Sequence, residues 1–210
     1  TAGRKIALRK RDGQLRQELA KLLTDSWTKP ENAIQLVKWN PYDQNEVSSF
    51  FDPEWMFGIR DGFDIIIGNP PYIQLQNNGG ALAKKYENIG YRTFARTGDI
   101  YCLFYERGWE LLRNGGCLCF ITSNKWMRAG YGEKIRGFFA KKTNPLILLD
   151  FSGVKIFDST VDSNILMFSK EKNTESTVCV SINKINKDRV NNLSNLIQQQ
   201  HFVCSFTSSD

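Results

Sequence analysis

Residues 63–72 constrain this chain more than any other stretch. Phe63-Asp64-Ile65-Ile66-Ile67-Gly68 has the composition of a short strand, since β-branched side chains fit a pleated surface. A continuous apolar run of this kind predicts burial on both faces. Pro70 and Pro71 then forbid both continuation of the strand and an immediate helix, because each fixes φ and removes a backbone donor. The strand must stop there, with Asn69 and Tyr72 held on a stiff turn at its carboxyl end. Ligands of open α/β sheets bind outside that end. An amide beside an aromatic ring there suits a flat, hydrogen-bonding group such as a nucleobase or a carboxamide. The plainer alternative is an exit in which Pro-Pro only ends the strand; four such residues in this order after a buried strand argue against it.

The flanking sequence alternates helical and strand patterns, which predicts an α/β class. Gly98-Asp99-Ile100-Tyr101 opens a helical pattern through Tyr105, Trp109 and Leu112, with Asp99 as the expected N-cap and Asn114-Gly115-Gly116 as the stop. Strands are expected at 117–122, with Cys117 and Cys119 on one face, and at 146–151, 164–169 and 177–182. Gly130-Tyr131-Gly132 precedes a helix running to about Ala140. Those glycines do not complete a phosphate-binding G-x-G-x-x-G, because Ile135 stands where the third would fall. Upstream, Leu8, Leu15, Leu19, Leu22 and Leu23 are spaced for one face of an amphipathic helix over 5–23. The connection from 24 to 62 is aromatic and loop-rich, with rings expected to pin it to the core and a strand at 34–39 as one option. Residues 73–98, carrying Asn77-Asn78-Gly79-Gly80 and Lys84, Lys85, Arg92 and Arg96, read as too polar for a core and as mobile. The expected division is 1–62, 63–170 and a polar extension over 171–210.

A chain of 210 residues, 41% hydrophobic and 12% aromatic, can bury one core. It has neither a long apolar run nor a secretory leader, so a cytoplasmic location without membrane attachment is expected. The absence of a starting Met suggests a fragment. Its five cysteines include no Cys-x-x-Cys pair and read as reduced thiols. No metal centre is expected, and the single histidine, His201, reads as a polar tail residue. The net charge of +6 is uneven. Over 121–145, Lys125, Arg128, Lys134, Arg136, Lys141 and Lys142 face only Glu133, and residues 1–30 hold a second basic surplus. Such segments suit a polyanion such as DNA, although each run alone also fits a solvated helix face.

Asn69-Pro70-Pro71-Tyr72, preceded by Phe63-Asp64 and three aliphatics, resembles motif IV of the adenine-N6 DNA methyltransferases, particularly the long-chain, type IIG-like forms of restriction-modification systems. The resemblance extends over about residues 60–170, including the 98–112 and 154–166 segments. It implies a partial S-adenosylmethionine-dependent, Rossmann-like fold and a double-stranded DNA partner. It also implies that Asn69 and the Pro70 carbonyl accept hydrogen bonds from the adenine amine while Tyr72 stacks on the flipped base. On the same basis Asp64 and Pro71 are expected on the cofactor side, and 73–98 as a DNA-facing lid. Lys125, Arg128, Lys134 and Arg136 are the expected DNA-binding cations.

Methyltransferases of this fold hold their cofactor through a glycine-rich turn after the first strand and an acidic residue after the second. Neither can be placed before residue 63, where the glycines are Gly3, Gly13, Gly58 and Gly62. The expectation is therefore a catalytic half that does not bind cofactor alone, with the cofactor half upstream and an apolar strand edge at Ile65–Ile67 needing cover, from 34–39 or from another copy. Release-factor glutamine methyltransferases and ribosomal-RNA methyltransferases share the NPPY motif and remain alternatives, as does a noncatalytic DNA-binding module. The chain has no Asp-x-Lys or Glu-x-Lys triplet, so a magnesium nuclease centre of that type is not expected within it.

Overall fold

The computed structural model describes residues 2–26, 34–35, 37–38, 40, 42–43, 45, 48, 50–154, 156–157, 161–182, 192–199 and 201–207. The chain forms two compact units, residues 1–60 and 61–210. In the first, helix α1 spans Ala2–Ser26. The leucine face expected of it is largely unburied, with Leu8, Leu15 and Leu22 all exposed. Residues 34–35 and 37–38 are helical, not extended. Ile34 and Val37 fall on one side of that turn and line a shallow apolar cleft with Ala20, an arrangement that satisfies backbone groups locally where a lone strand would leave them open. A short helix α2, Pro53–Phe57, is capped by Asp52, whose carboxylate accepts from Trp55 N at 2.8 Å. Phe51 and Phe57 lie 6.3 Å apart and stay exposed, not pinned into a core. Trp27, Pro30, Trp39 and Pro41 lie outside the described residues.

The second unit is built on a six-stranded sheet of order β1-β2-β4-β3-β5-β6. The strands are β1 Phe63–Gly68, β2 Leu112–Ser123, β3 Asn144–Asp150, β4 Ser163–Ser169, β5 Thr177–Ser181 and β6 Phe202–Cys204. β1 runs parallel to β2, while β4 is antiparallel to both β2 and β3, and β5 is parallel to β3. β1, β2, β3 and β5 therefore all end at one edge of the sheet. The stretch after residue 170, read as a polar extension, adds β5, β6 and the helix Leu193–Gln199. Cys179 and Cys204 are joined by a disulfide between β5 and β6, which corrects the reading of five reduced thiols: the antiparallel register sets their Cα atoms 6.4 Å apart, within bridging range. Cys102, Cys117 and Cys119 are free.

Helices α3 (Asn77–Tyr86), α4 (Tyr101–Leu111) and α5 (Glu133–Lys142) belong to the same unit. One face of the sheet presents Leu118, Phe120, Leu166 and Phe168 to Tyr105 of α4 and Phe138 and Phe139 of α5, the main core. On the other face Leu149, Phe151 and Val180 pack under Leu196, at the β3–β5 end. That asymmetry decides the fate of β1. With a side-chain period of two, Ile66 packs on the main core, whereas Ile65 and Ile67 are 70% and 79% exposed. Burial of β1 on both faces is thus overturned, because no described layer covers its second face. No described strand pairs with the outer edge of β1 either.

Residues 73–98 are packed, contrary to the expectation of a mobile, polar stretch. Leu75 and Ala83 form a small core with Ile100 and Leu103, and the cations Lys84, Lys85, Arg92 and Arg96 face outward. Near the start of α3, Asn78, Gly79 and Gly80 take three successive left-handed conformations that kink it, which the two glycines accommodate at no steric cost. Buried Glu106 accepts from both the amide (2.9 Å) and the hydroxyl (3.0 Å) of buried Thr93, tying the end of this segment to α4. Asp99 does not cap α4. The cap position is Ile100, and the Asp99 carboxylate instead accepts from the Tyr131 hydroxyl at 2.9 Å.

Candidate active site

Three of the strand exits and one of the strand entries at the common sheet edge frame the site. The NPPY turn follows β1, a 3-10 turn Asn124–Met127 follows β2, and residues 151–162 connect β3 to the start of β4. Pro70 is buried, Asn69 and Pro71 are exposed, and Tyr72 is half-buried. Asn69, Pro70, Pro71, Tyr72 and Phe157 line one open cavity of about 250 Å³. Asn69, Pro70 and Tyr72 of the NPPY turn therefore share one cavity, and a second ring joins them. Phe157 lies within the 154–166 segment of the resemblance, and the sequence assigns it no role. The available signal was that it is the lone aromatic among residues 152–163.

Tyr72 is held from two sides. Its hydroxyl donates to the Ile121 carbonyl at 3.4 Å, and its ring meets Tyr101 edge-on with centroids 6.2 Å apart. Burial pushes the Tyr72 hydroxyl pKa up, an effect the neighbouring Ser163 side chain, buried at the start of β4, offsets in part. Phe157 is carried by a connection anchored at both ends. Asn124 Nδ2 donates to Asp150 Oδ1 (2.8 Å) and Ser152 Oγ (3.0 Å). The Asn124 amide donates to Asp162 O, and Gly153 N donates to Asp162 Oδ1, each at 3.1 Å. The cavity is thus lined by one ring from the NPPY turn, a second ring from the connection, and residues whose side-chain amide oxygen and backbone carbonyl are hydrogen-bond acceptors.

The four expected DNA-binding cations separate into two kinds. Lys125, Arg128 and Lys134 are exposed on the segment following β2. Arg136 is half-buried, and its Nη1 donates to the carbonyls of Trp126 (2.7 Å), Ala129 (3.2 Å) and Met127 (3.4 Å). It ties down the loop that carries Lys125 and Arg128, while Lys134 stands in the first turn of α5. Gly132 serves the same loop, since a Cβ there would overlap the Trp126 carbonyl. Of the Gly-Tyr-Gly sequence, Gly132 is therefore a packing requirement, while a side chain at Gly130 would meet open space. Of the two residues expected on the cofactor side, Pro71 borders the cavity. Asp64 lies near the opposite, amino end of β1 and is ion-paired with Arg113, which holds its carboxyl below the usual range. Among the described residues no cluster of His, Cys, Asp and Glu could hold a metal ion, and no helix is long and apolar enough to cross a membrane.

Comparison with known proteins extends this geometry. Type II methyltransferase M.PaeR7I of Pseudomonas aeruginosa is 33% identical over 103 residues, covering 49% of this chain and 18% of the relative. Type II methyltransferase M.BanIII of Aneurinibacillus aneurinilyticus is 33% identical over 110 residues, covering 52% of this chain and 19% of the relative. The chain thus spans about a fifth of the length of these curated relatives. Among solved structures, the ATP-dependent Type ISP restriction-modification enzyme LlaBIII bound to DNA superimposes with a TM-score of 0.54 at 16% identity, over 76% of this chain and 14% of that one. That likeness shows a shared mixed α/β fold. The profile of the Eco57I restriction-modification methylases matches residues 3–157, from α1 through the NPPY turn to Phe157, and the chain belongs to that family.

Proposed function

We propose that this chain is the base-binding part of a site-specific DNA methyltransferase of a restriction-modification system, acting on the N6 amine of adenine with S-adenosylmethionine as methyl donor. The observation that carries the reading is the cavity in which Asn69, Pro70, Tyr72 and Phe157 meet. An exocyclic amine conjugated to a purine is a poor nucleophile. Two acceptors aimed at its protons, the Asn69 side-chain oxygen and the Pro70 carbonyl, favour the tetrahedral nitrogen whose lone pair can attack. The prolines set the second acceptor before the base arrives. A base extruded from the duplex loses its stacking, and the Tyr72 and Phe157 rings replace it.

The bound cofactor supplies an electrophilic methyl group. Pro71, on the cavity rim, is the residue of this chain suited to border it, whereas Asp64 is committed to Arg113 at the far end of β1. Lys125, Arg128 and Lys134 are suited to contact phosphates and so hold the duplex in register. Arg136 is assigned to holding the loop of Lys125 and Arg128.

The decisive experiment is to express the full-length gene product, incubate it with unmethylated DNA and isotopically labelled S-adenosylmethionine, and identify the modified base by mass spectrometry. N6-methyladenine at one recurring sequence is the expected product. N4-methylcytosine, or label in a release factor or ribosomal RNA but not in DNA, would overturn the reading.

A further inference from the structure

Behind Tyr72 lies a set of buried polar groups that the reading above does not use. Tyr101, fully buried, touches Tyr72 edge-on. Its hydroxyl is 2.8 Å from that of Tyr131, and the Tyr131 hydroxyl donates to Asp99 Oδ2 at 2.9 Å. Because Tyr131 spends its only proton on the carboxylate, it must accept from Tyr101, so the chain of donors runs from Tyr101 through Tyr131 to Asp99. Burial raises the pKa of both phenols, which keeps them neutral donors. Asp99 is buried as well.

The same residues meet the backbone that leaves Tyr72. Ile100 N donates to Ile73 O (2.9 Å) and Leu75 N to Gly98 O (2.8 Å), with Gln74 and Asp99 paired between them. Tyr131 comes from the loop of Lys125 and Arg128, just ahead of Lys134 on α5, and Tyr101 from the first turn of α4. Three elements distant in sequence thus converge on one aromatic ring. A hydrogen bond that fixes Tyr101 fixes the surface against which Tyr72 rests, and a ring confined to one orientation meets an incoming base without reorganising.

We propose that Tyr101, Tyr131 and Asp99 are positioning residues that hold Tyr72 in its base-stacking orientation and join it to the loop carrying the basic side chains. This rests on the reading of Tyr72 as the stacking residue. The test uses the full-length gene product with Tyr131→Phe, Asp99→Leu, Asp99→Asn and Tyr72→Ala. Single-turnover methylation rate, DNA affinity and melting temperature are measured for each. Tyr131→Phe and Asp99→Leu should slow methyl transfer by about tenfold with DNA affinity within roughly twofold. Asp99→Asn keeps an acceptor for Tyr131 and should restore the rate to within about threefold of the parent. An unchanged rate in Tyr131→Phe while Tyr72→Ala is impaired overturns the positioning role alone. Loss of rate in Tyr131→Phe that is matched by loss of DNA affinity or by a lowered melting temperature marks the trio as general structural support, and also overturns it. Full activity of Tyr72→Ala would sink the stacking reading beneath both.

Discussion

β1 and β2 leave the sheet side by side and at the same edge, yet their exits are made rigid by different means. After β1 the stiffness is covalent, two prolines in the four residues that follow Gly68. After β2 it is tertiary. Trp126 Nε1 donates to Asn164 Oδ1 (3.1 Å), Arg136 binds three carbonyls of the loop, and Gly132 lets the chain close against Trp126. A covalent restraint holds its geometry whatever surrounds it. A restraint made of hydrogen bonds from β4 and α5 exists only once those elements have docked. The first exit is suited to present reacting groups, and the second to present cations whose positions tolerate adjustment to a phosphate backbone.

The sharpest way to break this contrast is at Asn69. Asn69→Ala removes an acceptor but no restraint, so methyl transfer by the full-length protein should fall by about 10²–10³, with DNA affinity within a few-fold and melting unaltered. A matching fall in melting temperature would mean that the first exit also depends on its side chains. Arg136→Met should do the reverse. Stripping a charged donor from the 126–129 carbonyls should destabilise the fold by about 1–3 kcal/mol, read as a lower urea midpoint. A stable variant with weakened DNA binding would return Arg136 to the DNA-contacting set.

Tyr72 sharpens the comparison, because its ring belongs to the first exit while its hydroxyl reaches Ile121 on β2. Loss of the ring in Tyr72→Ala should cost about 1–3 kcal/mol of base capture. Tyr72→Phe gives up only one long hydrogen bond and should cost less than about 1 kcal/mol. Equal rates for Ala and Phe would remove the ring from the mechanism. The smallest effect is expected for Lys125, Arg128 and Lys134 changed together to Ala. DNA binding should weaken alike for all sequences and its salt dependence flatten by roughly one unit of slope per lost phosphate contact. Titration at several salt concentrations measures it, and an unchanged slope would make these side chains solvated surface only.

Much of the sheet was legible in one dimension. The expected strands near 117–122, 146–151, 164–169 and 177–182 all appear, as do α4 and α5, because runs of apolar residues bounded by glycine, proline or asparagine state their own limits. Where the reading went astray, the deciding term was the environment. Ile65 and Ile67 look like core and lie exposed, because burial of a strand face depends on whether another layer covers it. Residues 73–98 look like solvated loop and are packed, because scattered apolar positions such as Leu75 and Ala83 find partners on α4. The Cys179–Cys204 bond depends on a register between β5 and β6 that composition does not contain.

The sequence by itself determined the character of the site: a strand that must stop, an amide, two prolines and a ring in fixed order, all local properties of φ and side-chain chemistry. Only the tertiary structure decided what stands opposite and behind them. Phe157 reaches the cavity through bonds from Asn124, Asp150 and Asp162, and Tyr101 with Tyr131 backs Tyr72 from residues 29 and 59 positions further along. Local sequence sets what a residue can do. Its neighbours are chosen by how strands and helices bury their apolar faces together, and that is a property of the whole fold.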